Sequence, residues 1–338
     1  MKSFPEYLSE FRKNSGFFKS FMLRKPVWCS WQLTDKCNFR CKFCSVWRKE
    51  INHDQLSLSQ VQEAAAKIAR IGPMMVSMTG GEPLMRSDLT EIIATVDQHH
   101  FAFISTNGSL VTRERARELI QAGLWGVGIS LDYADAAKHD EARGFPGAYQ
   151  RALQALEIFQ SEQVKGRPQV NLMFTLMHDN FPDLEELALI TRDIGCTFRV
   201  QAYSALKTHD QSLQYPEPVS DKLIALQKKY PHFVTNRVIL EKFDQAITEG
   251  VPGCIAGKYM INIDPRGFVS KCPEFQKDHI GHILEDDNRT LLARLRQEHK
   301  ENRCRDCWYN CRNELEVSYS MRGMWFGKNR TGSKGQTG

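Results

Sequence analysis

The sequence predicts an α/β protein, a partial (β/α)6 barrel followed by a small cysteine-rich module of hairpin and helix. Two observations carry that expectation. Six short β-like runs alternate with helix-period segments between Val27 and Ser204, the pattern of parallel βα units. Eight of the ten cysteines then fall in two groups, one at the start of that stretch and one beyond its end.

The elements follow in order. Residues 1–26 read as an amphipathic leader: Phe4, Tyr7, Leu8 and Phe11 keep helical spacing, Asn14-Ser15-Gly16 interrupts it, and Phe17, Phe18, Phe21 and Met22 resume it near Lys19, Arg24 and Lys25. The leader is expected to clamp the outside of the main domain, with a lipid-surface contact or guidance of a greasy substrate as the alternatives. Strands are expected at Trp28–Leu33, Met74–Met78, Ala102–Ser105, Gly126–Leu131, Val170–Leu176 and Phe198–Ala202, with helices near 57–71, 87–99, 112–122, 147–163 and 182–194 between and after them. Residues 27–235 would form the barrel. A doubly wound sheet fits the same alternation, and in either architecture the chemistry collects in loops after the C-terminal ends of strands.

A further helix is expected near 219–230. From residue 250 the texture changes: Val251-Pro252-Gly253 marks a boundary, and Tyr259–Ile263 with Phe268–Ser270 around Asp264-Pro265-Arg266-Gly267 reads as a β-hairpin. Residues 250–322 make the small module, and 329–338 read as a disordered tail.

Composition narrows the class. Hydrophobic residues make up 41% of the 338 and charged residues 25%, enough apolar material for a substantial core. The net charge of +5 is spread along the chain, which argues against a nucleic-acid partner. Neither a membrane-spanning run nor a secretory leader is read, so a cytoplasmic location is expected, with the leader as a candidate contact to the inner face of the membrane. Thiols stay reduced there, and cysteines so grouped call for a metal rather than disulfides. Cys29 and Cys196 stand apart in apolar surroundings and read as buried structural residues.

The first group, Cys37-Asn38-Phe39-Arg40-Cys41-Lys42-Phe43-Cys44, is C-x3-C-x2-C placed directly after the first strand. Three thiolates on one tight loop suit a cuboidal iron–sulfur cluster and leave its fourth iron open. A zinc site completed by His53 is the alternative. At these residues the chain resembles the radical S-adenosylmethionine superfamily, whose barrel is TIM-like. The resemblance implies a [4Fe–4S] cluster on Cys37, Cys41 and Cys44, S-adenosylmethionine chelated by the open iron, and Phe43 beside the adenine. It also implies cofactor contacts from Gly80, Gly81, Glu82 and Pro83, from Ser105, Thr106 and Asn107, and from Ser130 and Arg143. Glu82 would take the ammonium group, and Ser130 and Arg143 the carboxylate. The implied activity is reductive cleavage of S-adenosylmethionine to a 5′-deoxyadenosyl radical that removes a hydrogen atom from an unactivated C–H, with an external one-electron donor such as flavodoxin or ferredoxin.

The second group is Cys254, Cys272, Cys304, Cys307 and Cys311. A hairpin with two cysteines and a later C-x2-C can gather four thiolates around zinc or iron–sulfur. The pattern resembles the twitch form of the SPASM extension behind many radical S-adenosylmethionine barrels. That resemblance implies one auxiliary [4Fe–4S] cluster on Cys254, Cys272, Cys304 and Cys307, with Cys311 as an alternative ligand, and a role as electron acceptor in net oxidation or bond formation.

The leader is too short for a peptide-recognition domain, so a small metabolite or lipid-like substrate is expected. Terminal Met321, Met324, Trp325 and Phe326 add apolar material. A maturase of ribosomal peptides is the alternative, and a non-catalytic iron–sulfur carrier the reading from another class. Tyr133, His139, His178, Tyr203 and Glu274 are acid–base candidates with no basis for choosing among them.

Overall fold

The computed structural model describes residues 4–48, 54–274 and 278–320, with the side chains of 4–9 left aside. The expectations for His53, for the apolar residues Met321–Phe326 and for the tail 329–338 lie outside the described residues.

Helix α1 spans Phe4–Met22. The barrel follows as β1 (Trp28–Thr34), α2 (Leu58–Ala69), β2 (Met75–Gly80), α3 (Leu89–Asp97), β3 (Phe101–Thr106), α4 (Arg113–Gln121), β4 (Leu124–Ser130), α5 (Ala136–Arg143), α6 (Ala148–Ser161), β5 (Gln169–Leu176), α7 (Leu184–Ile194) and β6 (Thr197–Ala202). Then come α8 (Ser220–Lys229), α9 (Arg237–Leu240), α10 (Phe243–Thr248), β7 (Met260–Ile263), β8 (Phe268–Ser270), β9 (Gly281–His282), α11 (Asn288–Glu301) and α12 (Asn310–Ser318). All six expected barrel strands are present and run parallel, in the order β6-β5-β4-β3-β2-β1.

The sheet is open, ending at β6 and β9, as a partial barrel requires. The β6 edge is not left bare: Val234 N donates to Phe198 O at 2.9 Å, and Val200 N donates to Thr235 Oγ1 at 3.0 Å. That cover removes a row of unpaired backbone groups.

Strand alternation sorts the residues. Cys29, Trp31 and Leu33 of β1, Val76 and Met78 of β2, and Val170, Leu172 and Phe174 of β5 are buried in the main apolar core. The intervening Ser30, Gln32, Ser77, Thr79, Asn171 and Thr175 line a central cavity. Period-two alternation therefore puts one face under the helices and the polar face inside.

Three features depart from expectation. The leader is one continuous helix, not two pieces, because Gly16 is used for close approach: a Cβ there would lie 2.9 Å from Pro73 Cγ. Glycine costs about 1 kcal/mol of helix stability relative to alanine, and at this position its lack of a Cβ leaves room for Pro73. The hairpin extends the barrel's own sheet: β7 pairs in parallel with β1, Trp28 opposite Met260, so the nine strands form one sheet. Helix α5 was not anticipated, since Ala136–Arg143 lacks an apolar stripe. It is set by Asp135, whose carboxylate accepts from Lys138 N, and by left-handed Gly144 at its end.

Helix α1 packs against the barrel and the C-terminal helix. Lys13 Nζ meets Asp97 Oδ1 at 2.6 Å, Phe17 packs edge-on to Phe101 at 5.5 Å, and Phe21 stacks on Tyr319 at 4.2 Å. Among the described residues no helix is long and apolar enough to cross a membrane.

Candidate active site

A cavity of about 730 Å³ lies against the polar face of the sheet, with Pro273, Glu274 and residues of α12 on its other side. Cys37, Cys41, Phe43, Cys44, Gly80, Gly81, Glu82, Ser105, Thr106, Asn107, Ser130 and Arg143 all line it. Residues from four strand ends thus meet at one place. Pro83 does not line it; it is buried in the first turn of a short 3-10 helix behind Glu82.

The cysteine loop is held from two sides. Arg40 N and Lys42 N donate to the carbonyls of Arg143 and Ala142 at 3.1 and 2.9 Å, so the end of α5 carries the loop. Left-handed Gly144 permits this, since a Cβ there would stand 2.6 Å from Arg40 O. On the other side Asn107 Nδ2 donates to Asn38 Oδ1 at 2.9 Å and Asn38 Nδ2 donates to Ser109 Oγ at 2.8 Å. Phe39 is buried beneath and stacks on Phe145 at 4.5 Å. Burial pushes the Cys37 thiol up to about 11 and raises that of Cys41, with neighbouring thiols adding to both.

The glycine pair serves the chain's own backbone. A Cβ on Gly80 would fall 2.3 Å from Thr34 O, and one on Gly81 2.0 Å from Lys36 O. Their absence of side chains lets the end of β2 dock on the loop leading to Cys37, where Glu82 N donates to Lys36 O at 2.8 Å. The Glu82 carboxylate is almost fully buried and accepts from Leu84 N, Thr106 Oγ1 and Asn107 N at 3.1, 2.7 and 2.8 Å. Burial raises its pKa, against the pull of those donors. Three of about four acceptor positions are filled by neutral donors, which leaves an electron-rich oxygen suited to a cation.

Asp132 and Arg143 form a buried ion pair beside the loop. Asp132 also accepts from Thr175 N at 2.9 Å, and Arg143 Nη1 lies 3.9 Å from Cys41 Sγ with its guanidinium 4.9 Å from the Phe43 ring centre. Burial would lower the Arg143 pKa, but Asp132 and Cys41 raise it. Arg143 Nε is buried without a partner among the described residues. That unmet donor suits an anion. A buried acceptor on Glu82 and an open donor on Arg143 thus fit the two charged ends of an amino acid, the terminus that S-adenosylmethionine presents.

The five distal cysteines form one neighbourhood. Cys254, Cys272, Cys304 and Cys311 pack in a single apolar cluster with Tyr259 and Leu315, and Cys307 is buried beside Arg312, which donates to its carbonyl at 2.8 Å. Burial raises the thiols of Cys272, Cys304 and Cys307, and pushes Cys311 to about 12. Cys311 alone of the five also lines the cavity. Among the described residues no three His, Cys, Asp or Glu side chains converge as they would on one ion.

The motifs do not name Asn38 and Ser109 of the loop network, nor four residues of the cavity wall, Asn171, Arg199, Lys207 and Glu314. Arg199 Nη1 meets Glu314 Oε1 at 2.6 Å, its Nε donates to Asn171 Oδ1 at 3.0 Å, and Lys207 Nζ stands 3.6 Å from Glu274 Oε1. Glu274 raises the Lys207 pKa. Asn171 and Arg199 were legible as polar positions alternating with apolar ones within expected strands; Glu314 and Lys207 carried no such signal. Of the acid–base candidates, Tyr203 and Glu274 line the cavity. Tyr133 donates to Asp179 Oδ1 at 2.8 Å, and His139 is buried with Nδ1 receiving the Asp132 N–H. His178 is half exposed.

Open parallel sheet, cavity and cysteine loop define a radical S-adenosylmethionine protein. Residues 31–189 match the family model described as Radical SAM superfamily, so the chain carries a radical S-adenosylmethionine domain over that stretch. Members of that superfamily bind a [4Fe–4S] cluster and S-adenosylmethionine. The mycofactocin maturase MftC of Mycobacterium tuberculosis is 28% identical over 324 residues, covering 89% of this chain and 81% of that protein. The Fe-coproporphyrin III synthase of Methanosarcina barkeri is 35% identical over 185 residues, but this chain spans only 43% of its length. Among solved structures, Streptococcus suis SuiB bound to precursor peptide SuiA superposes with a TM-score of 0.64 at 16% identity, over 96% of this chain and 80% of that one. That likeness is one of fold.

Proposed function

We propose that this radical S-adenosylmethionine enzyme modifies a peptide, in place of the small metabolite or lipid-like molecule expected from sequence. The supporting observation is the charge pairing of its cavity. Among the described residues each cation in the wall has a carboxylate partner: Arg143 with Asp132, Arg199 with Glu314, Lys207 with Glu274. Apart from the Arg143 Nε left for the cofactor, a polycarboxylate such as a tetrapyrrole would meet, among the described residues, no cation without a carboxylate partner there, whereas a neutral polar chain finds hydroxyls and amides. Similarity to MftC, which is described as a maturase, runs along most of both chains, while similarity to the porphyrin synthase does not.

Cys37, Cys41 and Cys44 hold the [4Fe–4S] cluster, Glu82 takes the ammonium and Arg143 the carboxylate of S-adenosylmethionine, and Phe43 flanks the adenine. Gly80, Gly81, Thr106 and Asn107 position Glu82 and the loop, while Ser105 and Ser130 add hydroxyls to the same wall. Bound there and reduced by an external donor, this pair of cofactors supplies a 5′-deoxyadenosyl radical that removes a hydrogen atom from substrate. The chain's part is to orient one C–H bond and keep competitors out. Residues 250–322 form an auxiliary-cluster module, with Cys254, Cys272, Cys304 and Cys307 as ligands and Cys311 facing the cavity.

The test is anaerobic. Reconstituted enzyme, dithionite and S-adenosylmethionine are incubated with separated peptide, small-molecule and lipid fractions of deuterated cell extract. Deuterium should enter 5′-deoxyadenosine from the peptide fraction. Transfer solely from another fraction overturns the substrate class; no cleavage from a fully loaded cluster overturns the activity.

A further inference from the structure

The cysteine loop has an outer side that the site described above does not use. Arg40 Nη1 donates to the carbonyls of Cys37 and Phe39 at 2.9 and 3.0 Å, and Trp47 Nε1 donates to Cys41 O at 3.0 Å. The guanidiniums of Arg40 and Arg48 lie 5.5 and 5.1 Å from the Trp47 ring centre. Arg40, Lys42 and Arg48 are exposed, while Cys37 and Cys44 are only half buried beneath them. From Lys36 to Arg48 the sequence carries four cations and no acidic residue. An exposed Lys42–Glu141 pair at 2.5 Å is the one carboxylate contact of these exposed cations among the described residues.

This is a basic, aromatic-centred surface whose hydrogen bonds end on the backbone of two of the three loop cysteines. We propose that Arg40, Lys42, Trp47 and Arg48 form the docking surface for an acidic one-electron carrier protein that reduces the centre held by Cys37, Cys41 and Cys44. The inference rests on the function proposed above, which needs one electron from outside the chain. Its partner is identified by charge: carriers of the flavodoxin and ferredoxin type are acidic, and complementary patches raise encounter rates and fix orientation. With flavodoxin hydroquinone as donor, one electron leaves the flavin, which becomes the semiquinone, and one enters the centre; no group is transferred.

The experiment compares the reconstituted full chain with the double variant Lys42→Glu, Arg48→Glu, after iron content is matched. Neither side chain contacts a cysteine. Three quantities are read at low and high salt: the Kd for oxidised flavodoxin by calorimetry, the stopped-flow oxidation rates of flavodoxin hydroquinone and reduced ferredoxin, and the rate with dithionite. Charge reversal should weaken carrier binding and slow carrier-driven reduction about tenfold or more at low salt, with the gap closing at high salt and dithionite reduction unchanged. The neutral pair Lys42→Gln, Arg48→Gln should fall between. Unchanged affinities and rates with both carriers, while dithionite still reduces the centre, overturn the docking surface alone. Failure of dithionite to reduce the loaded unaltered chain strikes the underlying function and takes the docking surface with it.

Discussion

Asn107 Nδ2 donates to Asn38 Oδ1 at 2.9 Å, so the residue following β3 is tied directly to the loop that carries Cys37. Asn107 Oδ1 in turn accepts from Ser109 N and Ser109 Oγ at 2.9 and 2.6 Å. The amide is therefore locked from both ends. Asn38→Ala should leave buried partners unmet and cost about 1–3 kcal/mol. Urea denaturation of the apoprotein measures the loss, and iron content after reconstitution should fall with it. Wild-type stability together with full loading would mean the bridge does not organise the loop.

Arg143 has a sharper consequence. Its removal strands Asp132 in the interior, where its carboxylate already has a raised pKa from burial. Arg143→Met should cost about 3–5 kcal/mol, whereas Arg143→Met with Asp132→Asn should recover much of that. The double variant should still bind S-adenosylmethionine poorly, which calorimetry would report. Tight binding by it would remove Arg143 from the cofactor site.

The two cysteine groups should load separately. Two [4Fe–4S] clusters give about eight irons per chain, so Cys254→Ala with Cys304→Ala should retain about four, as should the triple substitution of Cys37, Cys41 and Cys44. Cys311→Ala should keep both. Zinc in the distal group, found by elemental analysis, would contradict the auxiliary cluster.

His100 makes the acid response predictable. Burial lowers its pKa from 6.5 to about 4, and its Nδ1 accepts from Met74 N at 3.2 Å. The unfolded chain binds a proton in that window while the folded chain does not, so stability falls as pH drops from 6.5 toward 4. Each such histidine contributes a slope of about 1.4 kcal/mol per pH unit. His139, lowered to about 2, adds the same slope. His100→Asn keeps an acceptor and loses the titration, so the pH dependence of its denaturation midpoint should flatten. An unaltered slope would assign the acid sensitivity elsewhere.

Much of this protein is local and so was legible. C-x3-C-x2-C, Gly80–Pro83 and Ser105–Asn107 are contiguous residues at strand ends, and parallel strands bring all strand ends to one rim. The six strands were readable because their apolar positions alternate. The same alternation also announced a polar interior through Ser30, Gln32, Asn171 and Arg199, a signal passed over because buried parallel strands are more often apolar on both faces.

What only the tertiary structure decided are the relations between distant segments. Sequence spacing says nothing about β7 lying beside β1, 232 residues from Trp28 to Met260, nor about Glu314 reaching Arg199 across the cavity. Nor does it say that Gly81 must be bare so that Lys36 O can approach, or that Asp132 claims Arg143 before any cofactor does. The sequence by itself determined the barrel units, the thiol groups and hence the family's chemistry, since those depend on local period and short loops. Register, the partners of buried charges and the balance of charge in the cavity come from packing many segments at once, and these bear on what the enzyme accepts.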